Sequence, residues 1–289
     1  MLQERVRRAQ RDVIAVSLII FTIVASGWGV FGANVVYRDN LLVRSAWYGN
    51  DLVTLLLAVP LLAISYILAR KQSPRGTVLW LGMLAYTFYN YAFYAFGAAF
   101  NQLFLVYVLI LMLSTLGLIQ GLASSDIKVV LRSVAVSRVH RAVGIFIIVV
   151  SLILSSFWIA ISASYVWTGQ PPAMVIAVEH PTNITAVLDL WLVVSFGLLA
   201  GIWLWWRRAW GYVISAIWVV KGAVYMTALS AAAIATYASG ATEDLSQLGL
   251  WVPIGAGSVI SSLLLLRSLP KSPAAQHALP IDTSAARRR

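Results

Sequence analysis

Residues 184–225 read ITAVLDLWLVVSFGLLAGIWLWWRRAWGYVISAIWVVKGAVY. Two apolar runs flank the basic turn Arg207, Arg208, Ala209, Trp210, Gly211, and each run carries one charge, Asp189 in the first and Lys221 in the second. A helix needs about 20 mainly apolar residues to cross a hydrocarbon core roughly 30 Å thick. The stretch therefore predicts a transmembrane helical hairpin. An ionisable group at membrane depth is expensive, so both charges mark a candidate site.

The rest of the chain has the same character. Of 289 residues, 61% are hydrophobic and only 11% charged, against roughly 45–50% and 25% in soluble domains. The reading is an all-α membrane protein with eight transmembrane helices, at about 13–33, 51–69, 77–97, 101–122, 142–166, 184–206, 211–237 and 248–267. Pro, Gly and polar clusters separate them, as at Gln72, Ser73, Pro74 and at Gly169, Gln170, Pro171, Pro172. The net charge of +11 would suggest nucleic acid in a soluble protein, but here the basic residues fall between apolar runs. They act as topology signals and favour anionic headgroups on the cytoplasmic side, and no nucleic-acid partner is expected.

Alternating the connections between two sides places 18 of the 21 Lys and Arg residues with the termini and two, Arg38 and Arg44, opposite; the last is Lys221. That asymmetry predicts cytoplasmic N- and C-termini and an even number of crossings. The apolar first span follows a charged leader without a cleavage site, so it is expected to be retained. Ser124 to Arg141 alternates apolar and basic residues at helical spacing and predicts a basic helix lying on the cytoplasmic leaflet. A polar tail, 270–289, is expected to be disordered.

Internal similarity suggests two tandem four-helix halves in parallel orientation, residues 1–137 and 138–269. Arg5, Val6, Arg7, Arg8, Ala9 matches Arg138, Val139, His140, Arg141, Ala142, and Asp51, Leu52 matches Asp189, Leu190. Arg70, Lys71 matches Arg207, Arg208, and Gly76 matches Gly211, with an offset between 133 and 138 residues. In that alignment Asp51 and Asp189 correspond, Lys221 falls near Tyr86, and Tyr225 falls near Asn90.

Depth along the helices leaves a vertical gap of roughly 7 Å between Asp189 and Lys221, within reach of a lysine, so an ion pair is expected. A second polar group lies on the third and fourth spans, with Tyr86, Tyr89, Asn90, Tyr91, Tyr94, Gly97, Asn101 and Tyr107. Several of these recur at three- and four-residue steps and share a face. So many hydroxyls and amides cannot face lipid unpaired; they face protein, water or a ligand. The predicted ligand-binding set is Lys221, Asp189, Tyr225, Tyr86, Asn90, Asn101 and Asp51.

Cysteine is absent, which excludes thiol-redox, iron–sulfur and cysteine–zinc chemistry. No histidine lies within a predicted span, and no HExxH, GxSxG, Walker or GxGxxG motif occurs, so no metal or cofactor is expected. The expected function is binding or transport of a small solute, ion or lipid between the two halves near Lys221. The alternatives are a membrane-embedded enzyme acting on a lipid, a structural or assembly partner, and least of all a photoreceptor using Lys221.

The run His180, Pro181, Thr182, Asn183 with Val187, Leu188, Asp189, followed by Arg207, Arg208, Trp210, Gly211, Tyr212, Lys221 and Gly222, resembles an uncharacterised family of bacterial polytopic integral membrane proteins. A similar signature covers Tyr89, Asn90, Tyr91, Tyr94, Phe96, Gly97, Phe100 and Asn101. The resemblance implies a multi-pass protein of the bacterial inner membrane and transfers no role to any residue.

Because the chain lacks cysteine, its topology is open to single-cysteine labelling. Arg38→Cys and Glu243→Cys should react with an impermeant maleimide in intact cells, and Lys71→Cys and Arg208→Cys only after lysis. The reverse pattern would invert the topology.

Overall fold

The computed structural model describes residues 2–134 and 137–270; the predicted disordered tail lies almost wholly outside them. Among the described residues there is no strand. Eight long helices follow in order: α1 (Leu2–Phe31), α2 (Leu41–Arg70), α3 (Pro74–Gly97), α4 (Phe104–Leu122), α5 (Arg138–Thr168), α6 (Ile184–Trp205), α7 (Ala209–Ala238) and α8 (Leu248–Arg267). Seven of them are long and apolar enough to cross a membrane. The exception is α3. It is 24 residues long, but its tyrosines, threonines, Asn90 and glycines lower its hydropathy.

Position in the bundle explains that exception. Most of α3 is buried, packed against α2, α4 and α7. It presents little surface to lipid, so its polar side chains find protein partners. The second central helix is α7, which touches α2, α3, α6 and α8. Peripheral helices show the opposite pattern, with large apolar side chains facing outward, such as Ile20 and Phe31 on α1 and Leu152, Ile153 and Trp167 on α5. A soluble monomer rarely exposes apolar patches of that extent, whereas a lipid-facing surface requires them.

The helix limits follow the expected spans closely except at the starts of α1, eleven residues before Val13, and of α2, ten residues before Asp51. Asn40 caps it, its side chain accepting from the Val43 amide at 3.0 Å. Arg44, Asn50 and Asp51 lower the hydropathy of this first part and hide it from an apolar count. The segment after Ser124 also departs from expectation. It forms a short helix, Ser125–Ser133, whose Ile127 and Val130 are buried in the core against the bundle rather than laid on lipid. Asp126 anchors it through a 3.0 Å ion pair with Arg11 of α1. Residues 135 and 136 of the expected surface helix lie outside the described residues.

Two turns of π-helix interrupt the bundle, Thr54–Ala58 in α2 and Asp189–Val194 in α6. The first precedes Pro60, which has no amide to offer the Leu56 carbonyl and whose ring crowds it. In the second, the Ser195 hydroxyl donates to the Leu190 carbonyl five residues back, at 2.9 Å. Such turns often mark functional positions, where the locally rewound helix re-aims its side chains.

The α2–α3 and α6–α7 hairpins are built alike. Gln72 and Arg207 both adopt positive φ, 57° and 58°. The amides of Gln72 and Ser73 donate to Ala69 and Leu68, and those of Arg207 and Arg208 donate to Leu204 and Trp203. Gly76 lies against Leu68 and Ala69, as Gly211 lies against Trp203 and Leu204, leaving no room for a Cβ. Each matched pair is 135 residues apart (207 − 72 = 135). At that spacing Asp189 falls opposite Thr54, each being the first residue of its π turn, and not opposite Asp51 as the sequence alignment has it. Lys221 keeps its place opposite Tyr86, and Tyr225 opposite Asn90.

The closest approach between α2 and α7 is at Gly49, where an added methyl would strike the Ala231 and Ala232 backbone. Gly49→Leu should force these helices apart, and a loss of at least about 2 kcal/mol in reversible unfolding from mild detergent is expected, in the range of overpacked interiors. Gly27→Leu, with nothing within 4 Å of its added Cβ, should leave the unfolding midpoint near that of the wild type.

Candidate functional site

Four helices converge on Asp189. Its Oδ1 accepts from the Tyr89 hydroxyl of α3 at 2.6 Å, and its Oδ2 from Trp158 Nε1 of α5 at 3.0 Å. From α7, the Lys221 ammonium lies 3.5 Å from the centroid of the Tyr89 ring and 4.5 Å from that of Tyr225. The two tyrosine rings meet edge to face at 4.7 Å. Asp189 and Lys221 are each only 8% exposed.

This arrangement corrects the expected contact between the charges. No carboxylate lies within 4.0 Å of the Lys221 ammonium among the described residues. Tyr89 stands between, its hydroxyl on the carboxylate and its ring face under the cation. The substitution is energetically reasonable. A lysine at the helix centre costs about 2.5–3.5 kcal/mol to insert, and a desolvated cation–π contact contributes about 2 kcal/mol. Two ring faces therefore offset the insertion cost, and Asp189 supplies the opposite charge one ring away.

A second cluster surrounds Asp51, on the other flank of α3. Its Oδ1 accepts from the Tyr94 hydroxyl at 2.8 Å and its Oδ2 from the Tyr37 hydroxyl. The carboxylate rests on Gly29 of α1, where a Cβ would collide with it. One residue before, Asn50 donates to both Asn90 Oδ1 and the Tyr94 hydroxyl, each at 2.9 Å. One turn further, Thr54 and Tyr86 share a 2.8 Å hydrogen bond. Tyr86, Asn90 and Tyr94 recur every four residues, which turns all three toward α2.

The residues predicted as one set thus divide three ways. Lys221, Asp189 and Tyr225 come together with Tyr89. Tyr86, Asn90 and Asp51 belong to the α2–α3 cluster. Asn101 stands at the edge of that cluster beside Tyr107 and shapes the α3–α4 connection, donating to the Ala99 carbonyl and accepting from the Leu103 amide. Sequence reasoning missed Tyr37, Asn50, Thr54 and Trp158. Asn50 had a signal, since an amide beside a membrane carboxylate needs a partner. Trp158 had none, because a tryptophan in an apolar run reads equally well as a lipid-facing ring.

Both oxygens of Asp189 are engaged, and the site sets a buried carboxylate and a buried ammonium on either side of one tyrosine. No group of three His, Cys, Asp or Glu residues able to hold a metal ion occurs among the described residues. No family model matches the chain, and no curated protein or solved structure matches it either.

Tyr89→Phe keeps the ring under Lys221 and removes the hydroxyl from Asp189. Losing one hydrogen bond to a buried carboxylate should lower stability by about 1–3 kcal/mol. Tyr89→Leu removes both contacts and should cost more. Equal unfolding midpoints for the two variants would show that the ring face contributes nothing.

Proposed function

We propose that this chain is a multi-pass protein of the bacterial cytoplasmic membrane that binds and moves a small anionic solute between its two halves, at Lys221. In this reading it crosses the membrane eight times, with both termini in the cytoplasm. Seven apolar helices and a shielded α3 about 36 Å long support that count, as does the asymmetry of basic residues. The like-built hairpins 135 residues apart support two tandem halves related by duplication.

The observation that carries the functional reading is the state of Lys221. Its ammonium is buried on two aromatic faces, with no carboxylate in reach and no hydrogen-bond acceptor among the described residues. Three N–H donors thus remain for an incoming oxyanion. At the matching position of the first half the pair is neutral, Thr54 with Tyr86. Duplication followed by charging of one copy would give a single anion site on one side of the pseudo-symmetry axis. A lipid-modifying enzyme is less favoured, because both oxygens of Asp189 are already engaged.

Thermal unfolding of the purified protein against acetate, lactate, glutamate and phosphate tests this. At least one anion should raise the midpoint of the wild type in a saturable way and leave Lys221→Met unmoved. The same response in both proteins, or none in the wild type with any anion, would remove Lys221 as the binding group.

A further inference from the structure

Asp51 is a buried carboxylate with no cation beside it among the described residues. It is 1% exposed. The side chains that bond it are the hydroxyls of Tyr37 and Tyr94, and no Lys, Arg or His forms an ion pair with it among the described residues. The elements around it supply Gly29 from α1, Tyr37 from the α1–α2 connection, Trp47 and Asn50 from its own helix, Tyr91 and Tyr94 from α3 and Tyr107 from α4. None of these is a cation. Hydroxyl donors lower the cost of burying a carboxylate, but they do not neutralise it.

Two further observations point to a missing partner. The Tyr91 hydroxyl is buried without a hydrogen-bond partner, and the Tyr91 and Tyr107 rings lie 5.5 and 5.2 Å from that of Tyr94. Nearer the surface, Asp39 is also buried. Its Oδ1 accepts from the Ala99 amide at 3.0 Å, with His180 Nε2 3.9 Å away, while its Oδ2 has no partner. Asp39 lies two residues from Tyr37, so a second carboxylate sits at the loop end of the same cluster.

We propose that Asp51, with the phenol oxygens of Tyr37 and Tyr94, binds a monovalent cation, sodium or a proton, that enters past Asp39. One carboxylate among neutral oxygens suits a single positive charge; calcium collects more carboxylates, and the absence of nearby Cys and His ligands disfavours transition metals. Hydroxyl hydrogens rotate freely about their C–O bonds. With sodium, the phenols turn their hydrogens away and present lone pairs. With a proton, an O–H bond forms on Asp51 and donates to one phenol oxygen, whose own hydrogen turns to a neighbouring acceptor. The site lies across α3 from Lys221 and does not depend on the anion reading.

Full-length protein in nanodiscs provides the test, with choline replacing sodium at fixed pH. For a sodium site, sodium chloride raises the wild-type unfolding midpoint saturably by mass action, and bound radioactive sodium is displaced by unlabelled sodium. Asp51→Asn shows neither effect, and Tyr37→Phe shifts the half-saturating concentration up by about tenfold, as loss of one ligand oxygen implies. For a proton site, sodium changes nothing, and acidification in choline raises the midpoint of the wild type but not of Asp51→Asn. Lys221→Met retains whichever response the wild type shows, which separates this site from the anion site. Should Asp51→Asn not fold, Tyr37→Phe and Asp39→Asn carry the reading by weakening the response. A wild type indifferent to both cations, or variants that respond as it does, overturns the proposal.

Discussion

A carboxylate inside a membrane protein must find its hydrogen-bond donors in the protein, and here Asp51 and Asp189 each take one of them from the same helix. Tyr94 of α3 bonds Asp51, and Tyr89, five residues earlier, bonds Asp189. That division requires α3 to stand between α2 and α6, within reach of both. It explains why α3 carries tyrosines and Asn90 through its middle and why it is enclosed. With α3 in the middle, α7 becomes its natural companion, bringing Lys221 and Tyr225 onto Tyr89. The apolar outer helices then complete the surface that faces lipid.

Tyrosine suits this task better than serine or lysine would. Its hydroxyl reaches a carboxylate on a neighbouring helix while its ring fills the intervening space, so each contact supplies packing and polarity together. At Tyr89 one side chain performs both functions at once, donating to an anion and carrying a cation on its face. The charges are held apart by a ring, and neither is quenched by direct contact. Around Asp51 the same residue type forms a stack, Tyr91, Tyr94 and Tyr107, with no cation included. The two clusters are therefore alike in materials and opposite in balance.

Much of this architecture was legible in the sequence, because apolar length and the positions of Pro, Gly and Arg are local properties. Six of the eight long helices fall close to their expected limits, and the basic turns are where composition puts them. Lys221 and Asp189 were identifiable because charge in an apolar run has few explanations. Partner choice was less accessible. Nothing local says that the Lys221 side chain settles on rings instead of reaching a carboxylate, or that Asn101 serves its own turn. The start of α2 was obscured because its polar residues face the bundle interior, and hydropathy cannot distinguish a polar face turned inward from a loop. Register between the two like-built hairpins was likewise ambiguous in letters, where Asp51 and Asp189 look equivalent; backbone geometry at Gln72 and Arg207 aligns Thr54 with Asp189 instead.

The modest hydropathy of α3 has a consequence for biogenesis. Less apolar than the seven others, α3 depends most on its neighbours, and the first of these to be made is α2, joined to it by the tight turn at Gln72. The Asp189 carboxylate that Tyr89 bonds is synthesised about a hundred residues later, and α7 later still. When α3 is made, the Tyr89 hydroxyl therefore still lacks its carboxylate, and the polar centre of the bundle is the part of the core completed last.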